Sequence, residues 1–258
     1  MTVAHTSNEN ILGFPVTRLP LSACLELIES WTNERAARYL VCANPHSLVT
    51  ARTDPEFVQA ILKADLVTPD GFGIIVASRC LGGKVRNRIT GTDIFLGVCQ
   101  RLDKGRDRSC FLLGTSMENL QAMVRQMAVD FPNLRVAGIY SPPFKEEFDA
   151  ADSSAMIEAV NAASPDVLWV AMTAPKQEKW VYDNRHQLHA GFIGPIGAVF
   201  DYYSGRVKRA HPCLQRVGLE WLPRFLQEPR RLWRRNMIST PFFLAKIARA
   251  WFRKRFGR

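Results

Sequence analysis

Six short apolar runs of the kind that form buried strands recur along this chain, at residues 39–42, 66–68, 110–113, 136–140, 167–172 and 191–193. Helical signals separate them. Leu21, Cys24, Leu25, Ile28 and Trp31 fall on one helical face. Asp54-Pro55 is a cap and a first-turn proline, and it opens a helix that runs to Leu62. Residues 117–129 and 146–162 also read as helices. Alternation of this kind predicts an α/β fold: a mostly parallel sheet with helices on both faces.

The charge is distributed unevenly. The chain has 258 residues and a net charge of +10. Residues 206–258 hold 15 of its 34 lysines and arginines, against the two acids Glu220 and Glu228. Residues 1–205 are close to neutral, with 19 basic and 22 acidic side chains. The expected division is therefore a core over 1–205 and a basic helical appendage over 206–258. Such an appendage calls for an anionic partner: phospholipid, nucleic acid or a diphosphate. Thr240-Pro241 looks like a cap and first turn. Leu244, Ile247 and Trp251 follow on one side, with Lys246, Arg249 and Arg253 on the other. A basic amphipathic helix of this form suits a membrane surface. The competing reading docks the same apolar side on the body or on another subunit.

None of the six cysteines is spaced as C-x-x-C, and most sit in apolar runs, which suits free thiols in a reducing compartment. The five histidines do not cluster with them, which argues against zinc. Residues 1–10 are polar rather than signal-like, and no run of about 18 apolar residues occurs. The expected location is cytoplasmic, with the basic tail at a membrane surface.

Ligands of open α/β sheets bind at the carboxyl ends of the strands, so the polar residues after each apolar run are the candidates. Asn44 follows the first run and Asp70 the second. Gly114-Thr115-Ser116 follows the third, and before a helix it can offer backbone N–H groups to a phosphate. Gln177 and Asp201 follow the last two and can hydrogen-bond a nucleotide, though both also suit structural roles. Asp70, between Pro69 and Gly71, is placed to act as a general base. Its alternative role is a turn or cap aspartate. No D-x-D pair occurs to hold a divalent metal on a diphosphate. Arg224, Arg230, Arg231, Arg234 and Arg235 offer guanidinium groups instead, which suit bidentate bonds to phosphate.

These residues together resemble the WecG/TagA/CpsF glycosyltransferases over roughly residues 10–236. The resemblance is carried by Ala64-Asp65-Leu66 then Pro69-Asp70-Gly71, by Arg88 then Gly91-Thr92-Asp93, and by Ala174-Pro175-Lys176-Gln177-Glu178-Lys179-Trp180. Phe200-Asp201 with Gly205 and Lys208-Arg209-Ala210, and Leu219-Glu220-Trp221-Leu222 with Arg224, Glu228-Pro229, Arg231 and Arg234, complete it. The resemblance implies a Rossmann-like core with a C-terminal appendage. It implies inverting transfer from a UDP-sugar to a polyprenyl-diphosphate-linked saccharide at the inner face of a bacterial membrane. Asp70 is then the general base, and Arg88 is grouped with it as catalytic. Asn44 and Gln177 line the site, Asp201 lies near the nucleotide, and Arg224, Arg231 and Arg234 cover the leaving diphosphate. No metal and no cofactor are expected, and association into a homo-oligomer stays open. Gly194-Pro195-Ile196-Gly197-Ala198-Val199 and Cys42-Ala43 depart from the family's usual pattern. They leave the donor open among N-acetylmannosamine, its uronic acid, glucose and glucuronic acid.

No nucleic-acid partner is expected. The main alternative is nonetheless a nucleic-acid-binding protein using the basic tail. A nicotinamide-dependent dehydrogenase would need a glycine fingerprint after the first strand, where Cys42-Ala43-Asn44-Pro45 stands.

Overall fold

The computed structural model describes residues 7–207, 223, 225, 226, 229 and 233–256, with the side chains of 234–236 excepted. Two short strands come first, β1 (Asn8–Ile11) and β2 (Phe14–Thr17), paired as an antiparallel hairpin. Leu12 and Gly13 turn it with φ of 54° and 99°. The Asn10 side chain accepts from the Gly13 N–H at 2.8 Å. A turn with both central residues at positive φ usually announces itself as Asn-Gly or Asp-Gly. Leu-Gly does not, so the hairpin is absent from the sequence-based expectation.

Among the described residues six further strands form one parallel sheet: β3 (Arg38–Ala43), β4 (Leu66–Pro69), β5 (Ser109–Gly114), β6 (Arg135–Tyr140), β7 (Val167–Ala171) and β8 (Phe192–Pro195). They lie in the order β4-β3-β8-β7-β5-β6, and every neighbouring pair is parallel. Each coincides with one of the six apolar runs. The runs are apolar throughout because both faces of the sheet are covered. Tyr39, Val41, Phe111, Leu113, Leu168, Val170 and Ile193 point to one side. Leu40, Cys110, Leu112, Val167, Trp169 and Phe192 point to the other.

Helices α1 (Leu21–Glu34), α5 (Gly91–Asp103), α6 (Met117–Asp130) and α9 (Val199–Tyr203) cover the Trp169 side. Trp169 is wedged edge-on against Phe95 and Phe192, with ring centroids 5.2 and 5.8 Å away. Helices α2 (Pro45–Thr50), α3 (Pro55–Leu62), α4 (Phe72–Cys80), α7 (Ala150–Ala163) and α8 (Lys176–Asn184) cover the other side, together with the hairpin. The Asp54 cap is present, its carboxylate accepting from the Phe57 N–H at 3.0 Å.

The last helix, α10 (Thr240–Phe256), packs on α2 and α4. Phe243 is 0% and Ile247 2% exposed, and both belong to the body's core. Each such side chain contributes about 1.5–3 kcal/mol by burial. The expected stripe of Leu244, Ile247 and Trp251 is corrected here. Ile247 docks, but with Phe243, while Leu244 is 43% exposed. Residues 242–244 are all apolar, so helical spacing alone allows either stripe, and the groove between α2 and α4 selects one. Lys254 also ties the helix to the body. Its ammonium donates to the Leu81 carbonyl at 2.7 Å, capping the end of α4. Ser239, just before α10, meets His46 Nδ1 at 2.9 Å. Beyond the docked turn, Trp251, Phe252 and Phe256 gather in one aromatic cluster. Phe252 is 57% and Phe256 68% exposed. No helix of the described residues is long and apolar enough to cross a membrane.

Candidate active site

All six parallel strands end at the same edge of the sheet, and a cleft of about 1010 Å³ opens there. Asn44, Asp70, Gln177 and Asp201 line it. Four residues spread over 158 positions of sequence thus share one wall, because each follows or soon follows a strand end.

Asn44 ends β3 and caps α2. Its Oδ1 accepts from the Ser47 N–H at 3.0 Å, and Ser47 Oγ accepts from the Asn44 N–H at 2.8 Å. The reciprocal cap fixes the side chain at the cleft. Asp70 follows β4 directly, and its N–H donates to the Ala43 carbonyl at 2.8 Å. Gly71 follows at φ 97°, a conformation that lets the chain turn directly into α4. The half-buried Asp70 is left at the corner. Beside it, the Cys42 thiol is pushed well up, first by burial and next by the Asp70 carboxylate. A thiol raised in this way stays protonated and makes a poor nucleophile.

On the other flank, Gly114 ends β5 at φ 117°, where an added Cβ would lie 2.2 Å from the Ala171 carbonyl oxygen. This close approach lets the Thr115 N–H donate to Ala171 at 2.9 Å. Ser116 caps α6, accepting from the Asn119 N–H at 3.3 Å. The Asn119 amide donates to Thr115 Oγ1 at 3.1 Å and to Asp201 Oδ1 at 3.3 Å. Arg206 approaches the same Asp201 oxygen at 3.9 Å. Asp201 is thus held beside the start of α6, where backbone N–H groups favour an anion.

Between the flanks, β7 passes through Thr173 at φ 71° and the cis Ala174–Pro175 bond into α8. Gln177 is buried and engaged at both ends. Its Oε1 accepts from the Met172 N–H at 3.3 Å, and its Nε2 donates to Glu178 Oε1 at 2.8 Å. Glu178 is 4% exposed, lines the cleft, and its Oε2 has no hydrogen-bond partner among the described residues. Burial pushes its carboxyl up to about 7. Sequence reasoning singled out Gln177 and passed over its neighbour. The only signal was membership in the same Lys-Gln-Glu run, because burial is invisible in a polar stretch. Lys176 stands over the Phe148 ring, 4.3 Å from its centroid, and burial lowers its pKa.

Arg88 is half-exposed and is not among the residues that line the cleft. Its neighbour Ile89 is buried and donates to the Pro69 carbonyl at 3.0 Å. Arg224 and Arg231 lie outside the described residues. Arg234 opens a π-helical segment, Arg234–Ser239, and its side chain also lies outside them.

Several motif residues serve the scaffold. Asp65 accepts from the Tyr39 N–H at 3.0 Å and pairs with Arg185 at 3.2 Å. Asp93 and Thr90 form a capping box on α5, whose first turn lies on the cleft wall. Lys179 bridges α8 to Asp54 at 3.4 Å and Glu56 at 2.5 Å.

An open parallel sheet with a carboxylate-bearing cleft across its strand ends is the scaffold of an α/β enzyme. Residues 9–257 match the model of the Glycosyl transferase WecG/TagA/CpsF family. The chain belongs to that family and is a glycosyltransferase. The match decides for the transferase over the nucleic-acid reading. Among its relatives is a protein of Bacillus spizizenii strain W23, 30% identical over 218 residues, which cover 84% of this chain and 81% of the relative. A Bacillus subtilis strain 168 protein is 27% identical, covering 93% and 90%. A Staphylococcus aureus strain MW2 protein is 26% identical, covering 97% of each. All three are named N-acetylglucosaminyldiphosphoundecaprenol N-acetyl-beta-D-mannosaminyltransferase.

Proposed function

We propose that this chain moves a sugar from a UDP-sugar to a polyprenyl-diphosphate-linked saccharide, with inversion, in bacterial cell-surface polymer synthesis. The observation that carries the reading is the convergence of Asp70, Asn44 and Asp201 on one strand-end cleft, in a family whose relatives bear the names above. Asp70 takes the proton of the acceptor hydroxyl as that oxygen attacks the anomeric carbon. The bond from that carbon to the UDP oxygen breaks in the same step, and the diphosphate leaves with its charge. The start of α6 and Arg206 offer that charge a positive flank. Arg224, Arg231 and Arg234 complete it from the tail.

The transfer needs no divalent metal in this reading. The missing D-x-D supports that. The enzyme works at the inner membrane face. Exposed Phe252 and Phe256, among Arg249, Arg253 and Arg255, support contact with anionic lipid there.

The test is UDP release from a panel of UDP-sugars, with a short-chain polyprenyl-diphosphate-GlcNAc acceptor and a glucose-based one, in EDTA. Acceptor-dependent release that survives EDTA supports the reading and names the donor. No release with any pair, from folded enzyme with membranes added, overturns it.

A further inference from the structure

The transfer as proposed gives Glu178 no task, yet the cleft is built around it. The strand order sets its position. Asp70 and Asn44 stand at the ends of β4 and β3, and Thr115 stands at the end of β5, with β8 and β7 between them. A donor whose diphosphate meets the start of α6 extends its hexose from there toward Asp70, over the ends of β7 and β8. The wall there is Gly197 and the Gln177–Glu178 pair. Cys42, Asp70 and Glu178 all line this one cleft.

The state of Glu178 points to a ligand. Gln177 holds one carboxyl oxygen at 2.8 Å and is itself anchored to the Met172 N–H. The other oxygen is buried without a partner among the described residues, and no cation there lies within ion-pair distance of it. Buried polar atoms are nearly always paired, so an orphan on a cleft wall marks a missing partner. A diphosphate is a poor partner for a buried carboxyl with no matching cation, because any charge on that carboxyl would repel it. A hydroxyl is suited to it, since it donates to that oxygen.

We infer that Glu178 is a donor-binding residue, its free Oε2 accepting a hydrogen bond from a hydroxyl of the hexose that is transferred. The inference rests on the UDP-sugar reading above. Burial, which pushes the carboxyl up to about 7, agrees with a group held ready for a neutral partner.

The experiment compares UDP with a UDP-N-acetylhexosamine by calorimetric titration of the full chain. Wild type, Glu178→Gln and the apolar Glu178→Met are used, each first checked by thermal melting. UDP itself should bind all three alike, within about twofold. The gain in affinity from the sugar should fall about tenfold in Glu178→Gln and further in Glu178→Met. In turnover, the loss should fall on the donor KM rather than on kcat. An unchanged gain in both variants overturns the inference. So does a loss for UDP as large as the loss for the sugar nucleotide. If Glu178→Met does not fold, Glu178→Gln alone decides. Failure of wild type to bind UDP at all would instead bring down the nucleotide-donor reading, and this inference with it.

Discussion

At the β4–α4 corner and at the β7–α8 corner a strand ends, the chain turns, and a helix begins with an acid at the junction. The surroundings differ. Asp70 is half-buried at the cleft, with its backbone tied to β3. Glu178 is fully buried, half-satisfied by Gln177, and titrates near 7. The two corners teach that topology brings both acids to one cleft, and that burial sets the Glu178 carboxyl apart. A buried carboxyl is suited to hold a hydroxyl.

The comparison is broken most directly at Asp70. Asp70→Asn should lower acceptor-dependent turnover by about 10²- to 10⁴-fold with an unchanged melting profile. A variant that kept most of its kcat would remove Asp70 from the chemistry and make the two corners alike.

The scaffold behind the Asp70 corner is tested next. Helix α10 packs on α2 and α4 through Phe243 and Ile247. Phe243→Ala should cost about 3–5 kcal/mol in denaturant unfolding. In the fraction that stays folded, kcat should suffer more than UDP affinity, because α4 follows Asp70 directly. Equal losses in both would mean that α10 supports the whole cleft.

Glu178 gives a pH test of its own. Folding raises its carboxyl from 4.5 to about 7. Between those values the folded chain keeps a proton that the unfolded chain has lost. Stability therefore falls as pH rises through that window, and the loss is complete above pH 7. Glu178→Gln carries no charge to bury. It should be more stable than wild type above pH 7, by up to about 3 kcal/mol, and the advantage should vanish below pH 4.5. Melting curves across that range check it. A pH-independent difference would show that Glu178 does not titrate as its burial implies, and the contrast between the corners would lose its basis.

The smallest effect is expected at the helix starts. Ser116→Ala removes the α6 cap and should cost about 1 kcal/mol. It should also weaken UDP binding modestly while leaving the Asp70-dependent step intact. Weakened turnover without weakened UDP binding would move the diphosphate away from α6.

The strands were legible because a parallel sheet covered on both faces demands unbroken apolar runs, and the six runs stand out between polar turns. The helix opened by Asp54-Pro55 was legible because its cap is local chemistry. Other features were not legible, for stated physical reasons. The β1–β2 hairpin turns on Leu12-Gly13, which lacks the usual turn signature. The docking stripe of α10 depended on a groove formed by residues almost two hundred positions earlier. Asn44, Asp70, Gln177 and Asp201 were foreseeable, since each stands at or just beyond a strand end. Glu178 was not, because its neighbours in sequence are polar and its burial depends on tertiary packing.

The sequence by itself therefore determined the strand–helix alternation, the strand-end origin of the site, the family and the basic charge of the tail. Each of these rests on residue type and spacing along the chain. Only the tertiary structure decided the strand order, the face that α10 buries and the burial of Glu178. Those depend on what packs across from a residue, and desolvation and close contact act between segments that the linear order keeps apart.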